Sequence, residues 1–214
     1  MNRKHIIFAC KGNIGRSPVA ELVGNQYLET VGAQNHYIIS SRGTATQAIL
    51  EGLRSPQEME VSMNIFTTSG LHHASFDAYR AAVLSGNSKD IQRYGKEAMD
   101  HCIESEMNKR DAILQGLDIR GASKRNPEQM IAQENIDYIF AVDRKVYDEA
   151  YQIYSGQSSL PTIHVLSVFA TGNQGEKDSE VDLRDPEKVW KSYRESLERI
   201  VEHTPLALGR IIGL

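Results

Sequence analysis

The sequence is poor in several features that would each point to a class of protein. Two cysteines, Cys10 and Cys102, are too few for a disulfide framework, and they favour a reducing compartment. There is no long basic run, and a net charge of −4 gives no sign of nucleic-acid binding. No apolar stretch approaches the length of a membrane span, and the apolar run over 5–10 is too short for a signal peptide. We therefore expect a cytoplasmic protein that contacts neither nucleic acid nor membrane.

The composition is otherwise that of an ordinary globular protein. The 214 residues are 40% hydrophobic and 24% charged, and a chain of this length can bury one good core. We expect residues 1–214 to form a single domain that is monomeric.

One stretch, residues 10–18, has the composition of an anion-binding site. It follows a short apolar run that is typical of a buried strand, and it precedes a segment with helical spacing. Gly12 and Gly15 would let the loop turn tightly, so that successive N–H groups point into one hollow beside a helix N-terminus. Ser17 and Pro18 suit the N-cap and N1 positions of that helix. The phosphate-binding residues that we expect are Lys11, Gly12, Asn13, Ile14, Gly15 and Arg16.

The same surroundings favour a reactive Cys10. A helix N-terminus, the loop N–H groups and the Arg16 guanidinium all stabilise a thiolate, and a thiolate beneath a phosphate is a nucleophile aimed at phosphorus. Arg16 can also donate two parallel hydrogen bonds to phosphate oxygens, and Ser17 can donate to the sulfur. The alternative is a buried structural cysteine before a glycine-rich turn, but Cys, five residues, Arg and Ser between a strand and a helix favour the oxyanion site.

This loop resembles the signature loop of the low-molecular-weight protein tyrosine phosphatases. The usual form is C-x-G-N-x-C-R-S-P, and this sequence has C-K-G-N-I-G-R-S-P. Gly15 stands where many members have a second cysteine, which is thought to protect the nucleophile by a reversible disulfide. Residues 45–47 are Ala-Thr-Gln, where the family often has an aromatic residue that flanks the substrate ring.

The pattern along the chain indicates an α/β fold. Four strands are predicted at 3–9, 37–41, 136–142 and 161–166. Helices are predicted at 17–30, 75–84, 88–114, 127–132 (with Asn126 as N-cap), 144–154 and 187–202. Strands that alternate with helices imply a parallel sheet. The resemblance implies the order 2-1-3-4, so we expect a single doubly wound, flavodoxin-like sheet of four strands.

The resemblance covers most of the chain outside a helical insertion at about residues 48–110, after the second strand. This insertion is either a decoration or a wall over the active-site mouth, since the second strand ends at the same crevice as Cys10. In the second case its aromatic residues would replace the missing substrate-flanking ring; they are Phe66, Phe76, Tyr79 and Tyr94. Histidines at 72, 73 and 101 fit no zinc spacing, so we expect no metal and no other cofactor.

Two further positions are implied by the resemblance. Asp185-Pro186 resembles the family's D-P pair, whose Asp is the general acid; Asp182 and Asp178 are its rivals, and a plain helix cap is the other interpretation. Asp143 resembles the Asp of the family's A-M-D motif. The family often has a histidine that braces the loop at the position of Ala122, so the bracing must come from elsewhere.

The function that follows is a phosphomonoester hydrolase, specifically a protein tyrosine phosphatase that acts through a phosphocysteine. Its catalytic residues would be Cys10, Arg16, Ser17 and Asp185, and its substrate a phosphotyrosine protein or a small phosphomonoester. One alternative is a non-catalytic module that binds phosphate or phosphopeptides. Thioredoxin-coupled arsenate reductases share the loop and fold, but they need two more cysteines after the third strand, and this chain has none after Cys102.

Overall fold

Four parallel strands form the centre of the molecule. The computed structural model describes residues 3–132, 135–176, 178, 179, 181 and 187–214. The strands are β1 (Lys4–Cys10), β2 (Tyr37–Gly43), β3 (Tyr138–Ala141) and β4 (Thr162–Val165). They pair in the order β2-β1-β3-β4, which confirms the predicted α/β class and strand order. Residues 6–9 of β1 are fully buried, as expected of a central parallel strand that is covered on both faces.

Eight helices accompany this sheet within the described ranges. They are α1 (Arg16–Thr30), α2 (Thr46–Leu50), α3 (Pro56–Thr68), α4 (Ala74–Ser85), α5 (Ser88–Gly116), α6 (Arg144–Tyr154), α7 (Leu166–Thr171) and α8 (Val189–Ile212). Helix α8 packs against both α1 and α7. In this part of the chain, none of the helices is long and apolar enough to cross a membrane.

The segment after β2 builds a second hydrophobic core of its own. Helix α3 starts at a capping box, in which Ser55 and Glu58 exchange hydrogen bonds, and α4 ends at Gly86 in the left-handed conformation. Buried side chains of α3, α4 and α5 form the core; they include Met59, Met63, Phe76, Met99 and Ile103. Ile14 of the loop after β1 is buried in the same cluster, so the insertion core reaches the predicted anion site.

One predicted helix is absent, and one observed helix was not predicted. No helix forms over 127–132, because this segment is extended and pairs with the end of β2: Gly43 N–H donates to Glu128 O at 2.9 Å, and Met130 N–H donates to Gly43 O at 2.9 Å. Helix α7 was not predicted, because it starts directly after β4 at Val165 without a side-chain cap to mark it.

Candidate active site

The loop between β1 and α1 is held in one shape by Asn13. This residue has a φ of 53°, so the left-handed position in the loop falls on an asparagine, which tolerates it, and on neither Gly12 nor Gly15. Its side chain is fully buried: Nδ2 donates to Ser17 Oγ at 3.0 Å and to Ser41 Oγ at 2.8 Å. Its Oδ1 accepts from the Glu128 N–H at 2.8 Å. The loop is therefore tied to β2 and to the extended segment beside it.

Cys10 lies at the end of β1 with two donors directed at its sulfur. The Asn13 N–H is 3.2 Å from Sγ, and the Ser17 hydroxyl donates to Sγ at 3.0 Å. Helix α1 begins at Arg16 with Gly15 as N-cap, so the assignment of Ser17 to the N-cap and Pro18 to N1 is wrong. The Ser17 hydroxyl serves the sulfur instead of the helix end. Donors placed in this way stabilise negative charge on sulfur.

Arg16 is paired with a carboxylate from the third strand's end. Its Nη1 donates to Asp143 Oδ2 at 2.5 Å and to Ser179 O at 3.0 Å. Asp143 also caps α6, since its Oδ1 accepts from the Val146 N–H at 2.8 Å. Burial alone would lower the pKa of Arg16, but the Asp143 carboxylate and the nearby Cys10 raise it above its ordinary value. The guanidinium is thus a fixed positive charge beside Cys10.

A buried arginine of the insertion supports the loop from behind. Arg110 in α5 has no exposed surface, and its Nη1 donates to Ile14 O and, at 3.0 Å, to Lys124 O. It supplies the bracing that the sequence leaves open at Ala122. Sequence reasoning missed it, although the helical spacing of 103, 107, 110 and 114 placed this residue on an otherwise apolar face.

The space beside Gly15 is filled by two side chains from distant helices. A Cβ atom at Gly15 would lie 2.0 Å from Tyr193 Oη and 2.6 Å from Glu106 Oε1. Tyr193 belongs to α8 and Glu106 to α5. Burial raises the pKa of Glu106, against the lowering effect of Arg16, and burial together with Glu106 raises the pKa of Tyr193 well above its ordinary value. Neither residue was singled out from the sequence.

A cavity of about 510 Å³ opens above the loop. Its lining includes Cys10, Lys11, Gly12, Ile14, Gly15 and Arg16. Asn13 and Ser17 are buried behind these residues. The walls come from α3, α5 and α8, and their apolar members include Val61, Ile65, Phe66, Met99, Ile103 and Trp190.

The insertion is therefore a wall of this cavity rather than a remote decoration. Of the four aromatic residues expected there, Phe66 lines the cavity, whereas Phe76 and Tyr79 are buried in the insertion core and Tyr94 packs against that core. Further aromatic rings come from α8, which contributes Tyr193 and Trp190; the Trp190 ring meets Phe66 edge-on, with ring centroids 5.5 Å apart. The sequence spacing places Trp190 on the apolar face of a helix, but it does not predict that this residue lines the cavity, because that depends on how α8 packs in the fold.

The predicted general acid cannot be placed in this geometry. Asp185 and its rival Asp182 lie outside the described residues. The other rival, Asp178, accepts from the Arg144 N–H at 3.1 Å, at the start of α6. Val181 and Val189, which lie on either side of Asp185 in the sequence, both line the cavity. Across the part of the chain that the structure describes, no group of three His, Cys, Asp or Glu side chains could hold a metal ion.

Comparison with known proteins agrees with this geometry. The family model for low molecular weight phosphotyrosine protein phosphatase matches residues 5–78. A protein tyrosine phosphatase from Entamoeba histolytica is 18% identical with a TM-score of 0.51, and 98% of each chain is covered. A low molecular weight phosphotyrosine phosphatase from Vibrio cholerae O395 is 14% identical with a TM-score of 0.53, over 98% of this chain and 95% of that one.

A mutant of YwlE from Bacillus subtilis is similar to the same degree, at 15% identity and a TM-score of 0.54, with 99% of each chain covered. No curated protein matches the chain. The resemblance found in the loop is thus confirmed: residues 5–78 carry the sequence pattern, and the chain carries the fold, of the low molecular weight phosphotyrosine protein phosphatases.

Proposed function

We propose that this protein is a cysteine-dependent phosphatase that hydrolyses phosphomonoesters, with phosphotyrosine in proteins as its substrate. One observation carries the proposal: the Cys10 sulfur, at the floor of a cavity, accepts hydrogen bonds from Asn13 N–H and from the Ser17 hydroxyl. A structural thiol has no need of two donors, whereas a thiolate nucleophile does. The family match and the structural neighbours named as tyrosine phosphatases support the same chemistry.

In the first step, the Cys10 thiolate attacks phosphorus while the bond from phosphorus to the ester oxygen breaks. The loop N–H groups and Arg16 hold the phosphate oxygens, and they offset the charge that develops on them. Asp185 gives its proton to the leaving oxygen, so the alcohol departs neutral. The products of this step are the free alcohol, a phosphocysteine and an ionised Asp185.

In the second step, water attacks the phosphocysteine. Asp185 accepts a proton from this water, the bond from sulfur to phosphorus breaks, and inorganic phosphate is released with the thiolate restored. The Ser17 hydroxyl, 3.0 Å from Sγ, stabilises the sulfur as it leaves. Arg16 serves both steps, since its charge is fixed beside Cys10 by Asp143. No redox chemistry and no cofactor enters this cycle.

The test is hydrolysis of p-nitrophenyl phosphate and of phosphotyrosine peptides, without metal and with reductant. Cys10→Ser is expected to abolish turnover, and Cys102→Ser is its matched control, because this second buried cysteine lies in the cavity wall away from the donors. Asp185→Ala is expected to lower kcat by roughly 10²–10⁴-fold, while Asp182→Ala and Asp178→Ala retain most of it. Full activity in Cys10→Ser would refute the proposal.

A wild-type protein without turnover that still binds vanadate tightly would instead be a phosphate-binding module. The phosphotyrosine peptides test the substrate, whereas p-nitrophenyl phosphate tests the phosphatase chemistry alone. Turnover of p-nitrophenyl phosphate without any turnover of phosphotyrosine peptides would support the phosphatase activity and refute phosphotyrosine as the substrate.

A further inference from the structure

The hydroxyl of Tyr193 is a buried donor that makes no well-formed hydrogen bond within the described residues. The side chain is 4% exposed, and within the described residues its Oη has no hydrogen-bond partner. The Glu106 carboxylate is its nearest charged neighbour, and a weak hydrogen-bonding interaction with Tyr193 lowers the pKa of Glu106 against the effect of burial, but the two groups do not reach the geometry of a full hydrogen bond. Buried polar groups are nearly always paired, so an orphan of this kind calls for a specific explanation.

The position of this hydroxyl points to what it binds. Tyr193 lines the same cavity as Cys10 and Arg16, and its Oη sits where a side chain at Gly15 would begin. Gly15 is part of the loop whose N–H groups hold phosphate in the proposed function. A phosphate seated in that loop would bring an acceptor oxygen to the same side of the cavity as this hydroxyl and the Glu106 carboxylate.

Its surroundings favour the protonated form of this hydroxyl. Burial and the neighbouring Glu106 carboxylate raise the pKa of Tyr193 well above its ordinary value, against smaller opposite effects of Arg110 and Arg16. A neutral O–H can donate to an anion without adding to its negative charge. In this respect Tyr193 complements Arg16, which supplies positive charge.

We propose that Tyr193 is a phosphate-binding residue of the active site, whose hydroxyl donates a hydrogen bond to an oxygen of the bound phosphoryl group beside Gly15. This assignment rests on the proposed function, because it needs a phosphate in the loop. It gives α8 a direct role in the site, in addition to its packing against α1 and α7. It also explains why residue 15 has no side chain: the hydroxyl occupies that space.

The experiment measures the dissociation constants of orthovanadate and inorganic phosphate, together with kcat and KM for p-nitrophenyl phosphate. Tyr193→Phe removes one hydroxyl and retains the ring. A hydrogen bond to a charged acceptor contributes roughly ten- to a hundredfold to binding, so both ligands are expected to bind that much more weakly. Tyr154→Phe is the matched control: Tyr154 is equally buried, but its hydroxyl donates to Ile131 O at 2.9 Å, and it does not line the cavity.

Affinities of Tyr193→Phe within twofold of the wild type would overturn the assignment. If Tyr193→Phe binds the anions as the wild type does, and turnover is present and depends on Cys10, the proposed function is supported and only the assignment of Tyr193 is refuted. If the wild type binds phosphate but has no turnover, the proposed function falls, and the ratio of affinities still decides the role of Tyr193. A wild type that binds neither anion would overturn both.

A second measurement removes any dependence on how well the variant folds. In the wild-type protein, the hydroxyl proton of Tyr193 is expected to become slowly exchanging and to move downfield in the NMR spectrum when phosphate is added. The hydroxyl proton of Tyr154 should not respond. A Tyr193 resonance that is unaffected by saturating phosphate would overturn the assignment.

Discussion

Adding a single methyl group at residue 15 should reveal how closely the loop, α5 and α8 fit together. In Gly15→Ala the new Cβ would lie 2.0 Å from Tyr193 Oη and 2.6 Å from Glu106 Oε1, where real contacts begin at about 3 Å. The backbone does not demand glycine, because Gly15 has a negative φ of −106° with ψ −78°, at the edge of the right-handed helical region that alanine also occupies. Any cost is therefore steric.

The magnitude follows from two opposing contributions. Overpacking of a closely packed site costs about 1–3 kcal/mol. Replacing glycine by alanine at a permitted backbone conformation returns about 0.4–1 kcal/mol by restricting the unfolded chain. We expect Gly15→Ala to lower the free energy of unfolding by about 1–2 kcal/mol. It should also weaken phosphate binding, since the loop must move to make room.

A double-mutant cycle identifies the atom that is responsible. In the Tyr193→Phe background the closest atom is gone, whereas Glu106 Oε1 at 2.6 Å and the ring carbon Cζ at 2.9 Å remain, so the part of the penalty that is due to the hydroxyl should disappear. The expected coupling is about 1 kcal/mol, measured by urea denaturation of the four proteins. Gly116→Ala is the control: nothing lies within 4 Å of that Cβ, and alanine has the higher helix propensity at this last residue of α5. Additive effects of the two substitutions, or a fully stable Gly15→Ala, would refute this reasoning.

Three other perturbations test separate parts of the site. Arg110→Met should leave the buried Ile14 carbonyl without its donor, lowering the free energy of unfolding by about 1–3 kcal/mol and raising KM, whereas Arg93→Met on the exposed face of the same helix should change neither. Burial raises the pKa of Cys102 to about 12 from 9.0, so the folded state retains a proton that the unfolded chain releases. Between pH 9.0 and about 12 this thiol should lower stability by about 1.4 kcal/mol per pH unit, and the urea midpoint of Cys102→Ala should fall less steeply with pH than that of the wild type. Trp190→Ala should raise KM for aryl phosphates roughly two- to tenfold and leave phosphate affinity unchanged; equal loss of both would place the ring at the phosphate instead.

Local patterns were sufficient to predict the elements that have them. The apolar run that ends at Cys10 predicts a buried central strand, and Gly86 marks the end of α4. The strand order came from the resemblance of the loop rather than from any periodicity. Local patterns predict the wrong structure where a distant segment takes up the backbone hydrogen bonds. Residues 127–132 contain helix-forming residues, but their backbone pairs with Gly43 at the end of β2 instead.

The candidate site divides in the same way. Cys10, Arg16 and Ser17 are close in sequence, so a motif predicted that they would meet. Arg110 and Tyr193 reach the loop from about 95 and 180 residues away, and no local pattern encodes such distances. The sequence shows a glycine at residue 15, but it does not show why a larger side chain would not fit there, because the hydroxyl that fills the space belongs to another helix.

Ile14 belongs to the phosphate loop by its backbone and to the insertion core by its side chain. We therefore expect the loop around Ile14 to loosen when α3 and α5 open, so that the loop and these helices open and close as one cooperative unit. Because binding is reciprocal, an anion held in the loop must slow amide hydrogen exchange along α5 as well as in the loop. Hydrogen exchange in the insertion should therefore respond to whether the site is occupied. Deleting the insertion should disrupt the phosphate loop more than the β-sheet.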